Sequence, residues 1–333
     1  VTLLEQYDAL LLDLDGTVYR GGAAVPGAEP ALRTARQAGI AVRFVTNNAS
    51  RAPEDVAEHL NRLGIPAKPD EITTSAQAGA GMLVGRVEPG AEVLILGTDA
   101  LADEAAARGF TPVRAAGGGV RAVLQGLSQQ LGWPDLAEAC LAIRAGALWV
   151  ACNVDRTLPT ERGLLPGNGA LVEAVRVATD AEPLVAGKPQ RPLMDDAIRA
   201  TGAERPLAVG DRLDTDIAGA NNVGVDSLLV LTGVSTPADL LQADAGLHPR
   251  YVAADLHGIE RDDVEIAQSP HWQVEIAGSG QLSLRHTGSD SDPIGALRAL
   301  CATWWGQRTG PVSVRPLDDP ATAAVRKLQL PVA

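Results

Sequence analysis

Short apolar runs that stop at polar turns alternate along this chain with longer stretches of helical spacing. The first run, Ala9-Leu10-Leu11-Leu12, ends at Asp13-Leu14-Asp15-Gly16-Thr17, which reads as a strand buried on both faces whose carboxyl end opens into a polar turn. Residues 26–38 read as a helix, with proline at the start, good helix formers through Ala31, Leu32 and Ala35, and Gly39 just beyond its end. Residues 40–45 return as a strand. Strand, helix and strand within about 40 residues predict a right-handed βαβ unit on a parallel sheet. Residues 53–63 form a further predicted helix stopped by Gly64, with a polar approach at Ser50 and acidic Glu54 and Asp55 at the positive end of its dipole.

From about residue 76 the alternation continues without carboxylate-rich strand ends, which predicts a second α/β unit inserted into the first. Its expected strands are 93–96, 122–124 and 148–152, and its expected helices are 100–108, 134–144 and 171–178. The chain is then expected to re-enter the first sheet at 183–186. Gly117-Gly118-Gly119 lacks the spacing of a phosphate loop and reads as a plain loop. Beyond residue 261 the character changes, because three of the five tryptophans, Trp272, Trp304 and Trp305, fall there. Paired strands at 272–276 and 281–285, a helix at 294–305 and a strand at 312–314 make a small α/β appendage. The predicted organisation is a first unit of residues 1–75 and 183–260, an inserted α/β unit of 76–182, and the appendage of 261–333.

At 333 residues and 46% hydrophobic content the chain can build two or three ordinary cores. No apolar run approaches the roughly 20 residues that span a bilayer, and no basic segment leads into an apolar signal core, so a cytoplasmic protein is expected. A net charge of -13 disfavours nucleic acid as a partner. A small phosphate needs only a local positive site and stays open. Cys140, Cys152 and Cys301 are odd in number and in no metal spacing, so reduced thiols are expected rather than a disulfide framework or a zinc site.

The candidate chemistry starts at Asp13 and Asp15. Two apart on a continuing strand they point the same way, and like charges held so close repel unless a cation or a shared proton intervenes. With carboxylate and backbone oxygens to hand and no His or Cys in the segment, a hard divalent cation fits, magnesium first. A reading as turn residues capping the next helix stays open from this segment alone. A calcium loop wants glycine sixth and a carboxylate twelfth, whereas Gly16 is fourth and Ala24 twelfth. Two more strand-like runs end in polar side chains, Arg43-Phe44-Val45-Thr46-Asn47-Asn48 and Leu207-Ala208-Val209-Gly210-Asp211, the latter continuing through Asp214 and Asp216. Between them lies Ala186-Gly187-Lys188-Pro189.

Taken in order, Asp-x-Asp-Gly-Thr, Thr-Asn, Gly-Lys-Pro and Gly-Asp-x-x-x-x-Asp resemble the four motifs of the haloacid dehalogenase superfamily of phosphatases. The longer stretches 13–21 and 210–217 resemble its subgroup with a large α/β cap. The resemblance implies a Rossmann-like parallel-sheet core carrying residues 76–182 as the cap. It also implies a magnesium-dependent phosphomonoester hydrolase that works through an aspartyl-phosphate. Asp13 takes the position of the nucleophile and Asp15 that of the general acid and base. The metal would be held by Asp13, the backbone carbonyl of Asp15 and Asp211, with Asp216 and Asp214 orienting its water. Gly16, Thr46, Asn47 and Lys188 would bind phosphate. Residues 153–163, dense in hydrogen-bonding side chains after a strand end, are similar to the cap loop of these relatives and bring Asn153, Asp155, Thr160 and Arg162 forward as substrate contacts.

A large cap encloses a small space, which favours a small phosphorylated metabolite over protein or nucleic acid substrates. Within the superfamily the chain, tail included, is most similar to the actinobacterial glycerol 3-phosphate phosphatases, and that substrate is the expectation. Phosphoglycolate, pyridoxal phosphate and nucleoside monophosphates stay open. The resemblance also allows a homodimer paired through the caps. A phosphoryl-transferring mutase is disfavoured because mutase relatives commonly carry a small helical cap early in the chain. A regulatory module with a vestigial site is disfavoured by the complete charged set. The appendage resembles part of an acetyltransferase fold, yet Arg285-x-x-Gly288-x-Asp290 puts an acidic residue where a coenzyme A loop wants Gly or Ala, so acetyl transfer is not expected.

Overall fold

The all-apolar run Ala9–Leu12 pairs in parallel with Pro206–Gly210, that strand with Asp226–Val230, and that with Tyr251–Ala253 in the computed structural model, which describes residues 1–160, 162–306 and 310–333. The strands are buried almost throughout, which is why they read as continuous apolar runs without alternation. Leu12 lies opposite Val209 in the register, and the Asp13 amide donates to the Val209 carbonyl at 2.9 Å. Asp13 and Asp211 therefore leave the same, carboxyl, end of neighbouring parallel strands, the end at which open α/β sheets place their ligands.

The chain divides into two units, residues 1–42 with 203–333 and residues 43–202. In the first, helix Ala28–Gln37 buries Ala28, Ala31, Leu32 and Ala35, the three-and-four spacing of one helical face. The C-terminal segment belongs to this unit. Trp272–Gly278 runs antiparallel to Gln281–His286, Ser313–Pro316 runs parallel to the latter, and helices Pro293–Trp305 and Asp319–Lys327 pack with them. The last helix is absent from the sequence reading. Asp318 caps it by accepting from the Ala321 amide at 2.9 Å. Trp272, Leu297, Trp304 and Val314 share one core with Leu229 and Val252 of the sheet.

The second unit is a five-stranded parallel sheet in the order Leu184–Val185, Leu148–Ala151, Val120–Gln125, Glu92–Leu96, Thr111–Val113. Helices Asp99–Ala107, Trp133–Arg144 and Asn168–Thr179 stand where the spacing predicts them. Strand Ala41–Thr46 carries the chain into this unit, and Phe44 to Thr46 pair in parallel with Ile72–Thr74.

Three features differ from the sequence reading. Leu184–Val185 pair with Val150 and Ala151 instead of rejoining the first sheet, because helix Asn168–Thr179 makes a short crossover to the neighbouring parallel strand. Helix Ser75–Leu83 has no apolar stripe to betray it. Its small residues are buried on several sides, and a Cβ on Gly79 would stand 3.1 Å from both Cys152 Sγ and Leu124 Cδ1. Thr74 starts it by accepting from the Gln77 amide at 3.2 Å. The segment after Cys152, read as a loop, contains an antiparallel hairpin, Thr157–Thr160 with Gly163–Pro166. Among the described residues no helix is long and apolar enough to cross a membrane.

Candidate active site

In the first unit the structure brings Asp13, Asp211 and Asp216 together, with one carboxylate oxygen from each within 4.8 Å of the others. Asp211 is fully buried, Asp216 is 4% exposed and Asp13 is half-buried. At such separations each pair of charges repels by about 3–4 kcal/mol at an effective dielectric near 20. Three hard oxygen donors under that strain fit a divalent cation of the magnesium class.

Asp211 is held by a cradle that the sequence reading did not find. Thr17 Oγ1 donates to its Oδ1 at 3.4 Å and the Val234 amide to its Oδ2 at 2.6 Å. The Ser235 amide donates to its carbonyl at 3.1 Å, and the Ser235 hydroxyl accepts from the Leu213 amide at 3.0 Å. Thr232 Oγ1 donates to the Gly16 carbonyl at 2.6 Å, and Arg20 donates to the Thr232 carbonyl. The one signal in the sequence is that Thr232-Gly233 follows the apolar run of strand Asp226–Val230 as a polar strand end. It carries no carboxylate.

Gly16 has two reasons to be glycine. Its φ is +91°, and a Cβ there would stand 2.5 Å from Asp211 Oδ2. Gly16 is also expected on the phosphate, and in the structure its amide donates to the Tyr19 carbonyl at 2.7 Å. Asp15 keeps a solvent-facing side, but the protein packed about it raises its carboxyl above the usual range, with Arg20 opposing.

Asp216 sits in a π turn, Leu213–Ile217, whose extra residue turns the side chain inward. The Arg212 amide donates to its Oδ2 at 3.1 Å, and a Cβ on Gly210 would stand 2.3 Å from the Asp216 side chain. Asp214, grouped with Asp216 from the sequence, is not among the converging carboxylates. It faces outward to Arg212, at 2.8 Å from Nη2. Burial pushes its carboxyl up, but the hydrogen bonds and charge of Arg212, together with main-chain hydrogen bonds at Asp214 and Thr215, hold it below its usual range.

In the second unit a hydrogen-bonded hub forms around Asn47. Its Nδ2 donates to the Asp155 carboxylate at 3.2 and 3.3 Å and to the Lys188 carbonyl at 3.0 Å, while its Oδ1 accepts from the Lys188 amide at 2.8 Å. Its carbonyl accepts from Asn153 Nδ2 at 2.6 Å and from Ser75 Oγ at 2.5 Å. Asn47, expected on the phosphate, has its side chain engaged in holding Lys188 and the root of the hairpin. Lys188 is 3% exposed and its Nζ donates to the Val45 carbonyl at 2.9 Å. Gly187 fits only without a side chain, since a Cβ would stand 2.6 Å from the Cys152 carbonyl and 2.7 Å from Asn47 Oδ1. The Thr46 hydroxyl accepts from the Asn48 amide at 3.1 Å.

The four residues expected on the substrate separate into two pairs. Asn153 is buried, accepts from the Asp155 amide at 3.2 Å and gives its carbonyl to Asn168 Nδ2 at 2.7 Å, so Asn153 and Asp155 brace the hairpin. Thr160 and Arg162 lie at its tip, where Thr160 Oγ1 donates to the Gly163 carbonyl at 2.8 Å and accepts from the Arg162 amide at 3.2 Å. Glu161, within the same segment, lies outside the described residues.

Comparison with known proteins adds three family matches. A haloacid dehalogenase-like hydrolase model matches residues 10–111, a second hydrolase model of that kind matches 185–259, and a GCN5-related N-acetyltransferase-like domain matches 269–330. The D-glycerol 3-phosphate phosphatase of Mycobacterium tuberculosis is 46% identical, with 99% of this chain and 96% of that protein covered. A crystal structure of the M. tuberculosis glycerol phosphate phosphatase in complex with magnesium superposes with a TM-score of 0.94 at 46% identity, covering 99% of both chains. The acid sugar phosphatase of Staphylococcus aureus is 39% identical over 256 residues, 76% of this chain and 97% of its own length.

Proposed function

The chain belongs to the haloacid dehalogenase-like hydrolase family, and from that premise we propose a magnesium-dependent phosphatase that cleaves glycerol 3-phosphate to glycerol and phosphate by way of a covalent phosphate on Asp13. The observation that carries the chemistry is the convergence of Asp13 with Asp211 and Asp216 at the carboxyl end of a parallel sheet. Asp13, the Asp15 carbonyl and Asp211, with Asp216 beside them, would hold a magnesium ion, whose charge would let an anionic nucleophile approach a phosphate.

In the first half-reaction an Asp13 oxygen attacks phosphorus, the bond from phosphorus to the alcohol oxygen breaks, and Asp15 gives its proton to the departing alkoxide. The raised pKa of Asp15 keeps more of it protonated for that step. In the second, Asp15 takes a proton from water as the water oxygen attacks the same phosphorus, and Asp13 leaves as the free carboxylate. The motif series assigns Gly16, Thr46, Asn47 and Lys188 to the phosphate oxygens, with the lysine charge there to neutralise them.

Glycerol 3-phosphate is supported by the 46% identity that runs across nearly the whole of both chains. Thr160 and Arg162, at the tip of the hairpin, are the side chains assigned to reading the alcohol. A screen of phosphate release with magnesium, comparing kcat/KM over small phosphomonoesters, tests this. Glycerol 3-phosphate should lead phosphoglycolate, pyridoxal phosphate and nucleoside monophosphates, and a clear preference for one of these replaces it.

The unpaired thiols of Cys140, Cys152 and Cys301 support a reducing, cytoplasmic setting. Exposed apolar side chains on adjacent helices of the second unit, Trp133 (80% exposed), Leu141 and Val177, support a homodimer, which light scattering of the full chain decides.

A further inference from the structure

We propose that the C-terminal segment is a buttress for the cation cradle, and that Trp305 is the positioning residue through which its support reaches Asp211 and Asp216. At the end of helix Pro293–Trp305 the Trp305 indole stacks on the His248 imidazole, with ring centroids 3.7 Å apart and planes within 9°. The indole Nε1 donates to the Leu241 carbonyl at 3.2 Å. His248 is itself oriented by a 2.9 Å hydrogen bond between its Nε2 and the Ala243 carbonyl.

Each of these contacts leads to the acidic centre by a short path. Leu241 closes the helix Pro237–Leu241, whose cap residue Thr236 directly follows Ser235, and Ser235 holds both the Asp211 carbonyl and the Leu213 amide. From the other contact, the carbonyls of His248 and Gly246 accept from Asn221 Nδ2 at 3.2 and 2.9 Å. Asn221 stands in helix Ala218–Val223, the direct continuation of the π turn that carries Asp216. The turn's two apolar ends, Leu213 and Ile217, are sealed into the same core as Leu297 and Leu300 of the tryptophan's helix. The angle at which Asp216 and Asp211 meet therefore depends on the two hydrogen-bonded paths that Trp305 anchors, through Leu241 and through His248.

The segment's own chemistry does not explain its presence. The N-terminus of helix Pro293–Trp305, where free N–H groups would otherwise attract an anion, is filled by Asp292. Its carboxylate accepts from the Ile294 amide at 3.2 Å and the Gly295 amide at 2.9 Å, with Arg298 Nη2 at 3.4 Å. A second anion there meets a negative charge instead of open N–H groups.

The inference rests on the cation site proposed above, and direct ion binding tests the two separately. Binding of Mn2+ is followed by electron paramagnetic resonance and of Mg2+ by calorimetry, for the full chain and for Trp305→Ala, Trp305→Phe, His248→Gln and Val325→Ala. Val325 belongs to the same core but sits on helix Asp319–Lys327, packed with strands Gln281–His286 and Ser313–Pro316, and takes no part in the Trp305 and His248 contacts. Trp305→Ala is expected to weaken ion binding by about tenfold or more, with KM for the phosphoester near wild type at saturating magnesium. The milder Trp305→Phe and His248→Gln should fall between, and they carry the test should Trp305→Ala not fold. Val325→Ala should lower the melting temperature and leave ion affinity unchanged. Wild-type affinity in the Trp305 and His248 variants, or an equal loss in Val325→Ala, overturns the proposal. A wild-type chain that binds neither ion overturns the cation site and the buttress with it.

Discussion

The carboxylate of Asp211 lies so close over Gly233 that a Cβ at that glycine would stand 1.8 Å from Oδ2. From another direction a Cβ on Gly16 would stand 2.5 Å from the same oxygen, and the Val234 amide fixes it at 2.6 Å. Asp211 has almost no freedom to reorient. Gly233→Ala must displace it, and the expected result is a rise of about tenfold or more in the magnesium concentration for half-maximal activity. The cost in folding stability should be only about 1–3 kcal/mol, as for an overpacked site. A magnesium titration of activity beside a denaturant melt checks both, and an unchanged titration contradicts the clamp.

Asp13→Asn should abolish turnover while leaving the fold in place, because the amide nearly preserves the shape of the carboxylate but cannot act as the nucleophile. Phosphate release and a thermal melt of a preparation checked for deamidation measure the two effects. Turnover near wild type removes Asp13 from its role.

Removing the cation with EDTA should silence the enzyme, and magnesium should restore it. Calcium should bind and support little turnover, since its larger and looser shell misplaces the attacking oxygen. Full activity in EDTA contradicts this assignment of the three converging carboxylates.

Asn47 joins Lys188 to Asp155 through its side-chain amide. Asn47→Ala leaves those partners short of a hydrogen bond in a partly buried place, at an expected cost of about 1–3 kcal/mol. It should also raise KM, because Lys188 and the hairpin lose their common anchor. Chemical denaturation and steady-state kinetics measure the pair, and a variant as stable and as tight as wild type shows the hub to be dispensable.

Burial raises the Asp15 carboxyl and Arg20 lowers it. The acid of the first half-reaction must carry its proton, so that step weakens as pH rises through the Asp15 pKa. Arg20→Gln removes the opposing positive charge, the Asp15 pKa rises further, and the alkaline limb of kcat should move to higher pH. A pH profile at saturating magnesium decides it, with a shift to lower pH as the contrary result.

The strands that carry Asp13 and Asp211 were legible because a strand buried on both faces has no choice but to be apolar throughout, and because a carboxylate at its end is conspicuous. Thr232 to Ser235 were not, since a cradle made of main-chain amides and two hydroxyls has no side-chain signature. Asn47 was legible as a polar residue at a strand end, but its role was not, because its partners Asp155 and Lys188 lie 108 and 141 residues away along the chain. Asp214 and Asp216 look alike in sequence, and only the π turn separates the one that faces in from the one that faces Arg212. Helix Ser75–Leu83 hid behind its own composition, because Gly and Ala give no periodic contrast.

The most direct measurement is the mass of the peptide containing Asp13 after acid quench of the full chain turning over glycerol 3-phosphate with magnesium. A phosphoryl group on Asp13 should appear during turnover, be absent with EDTA and be absent in Asp13→Asn. Release of phosphate at the wild-type rate with Asp13 never modified would contradict it.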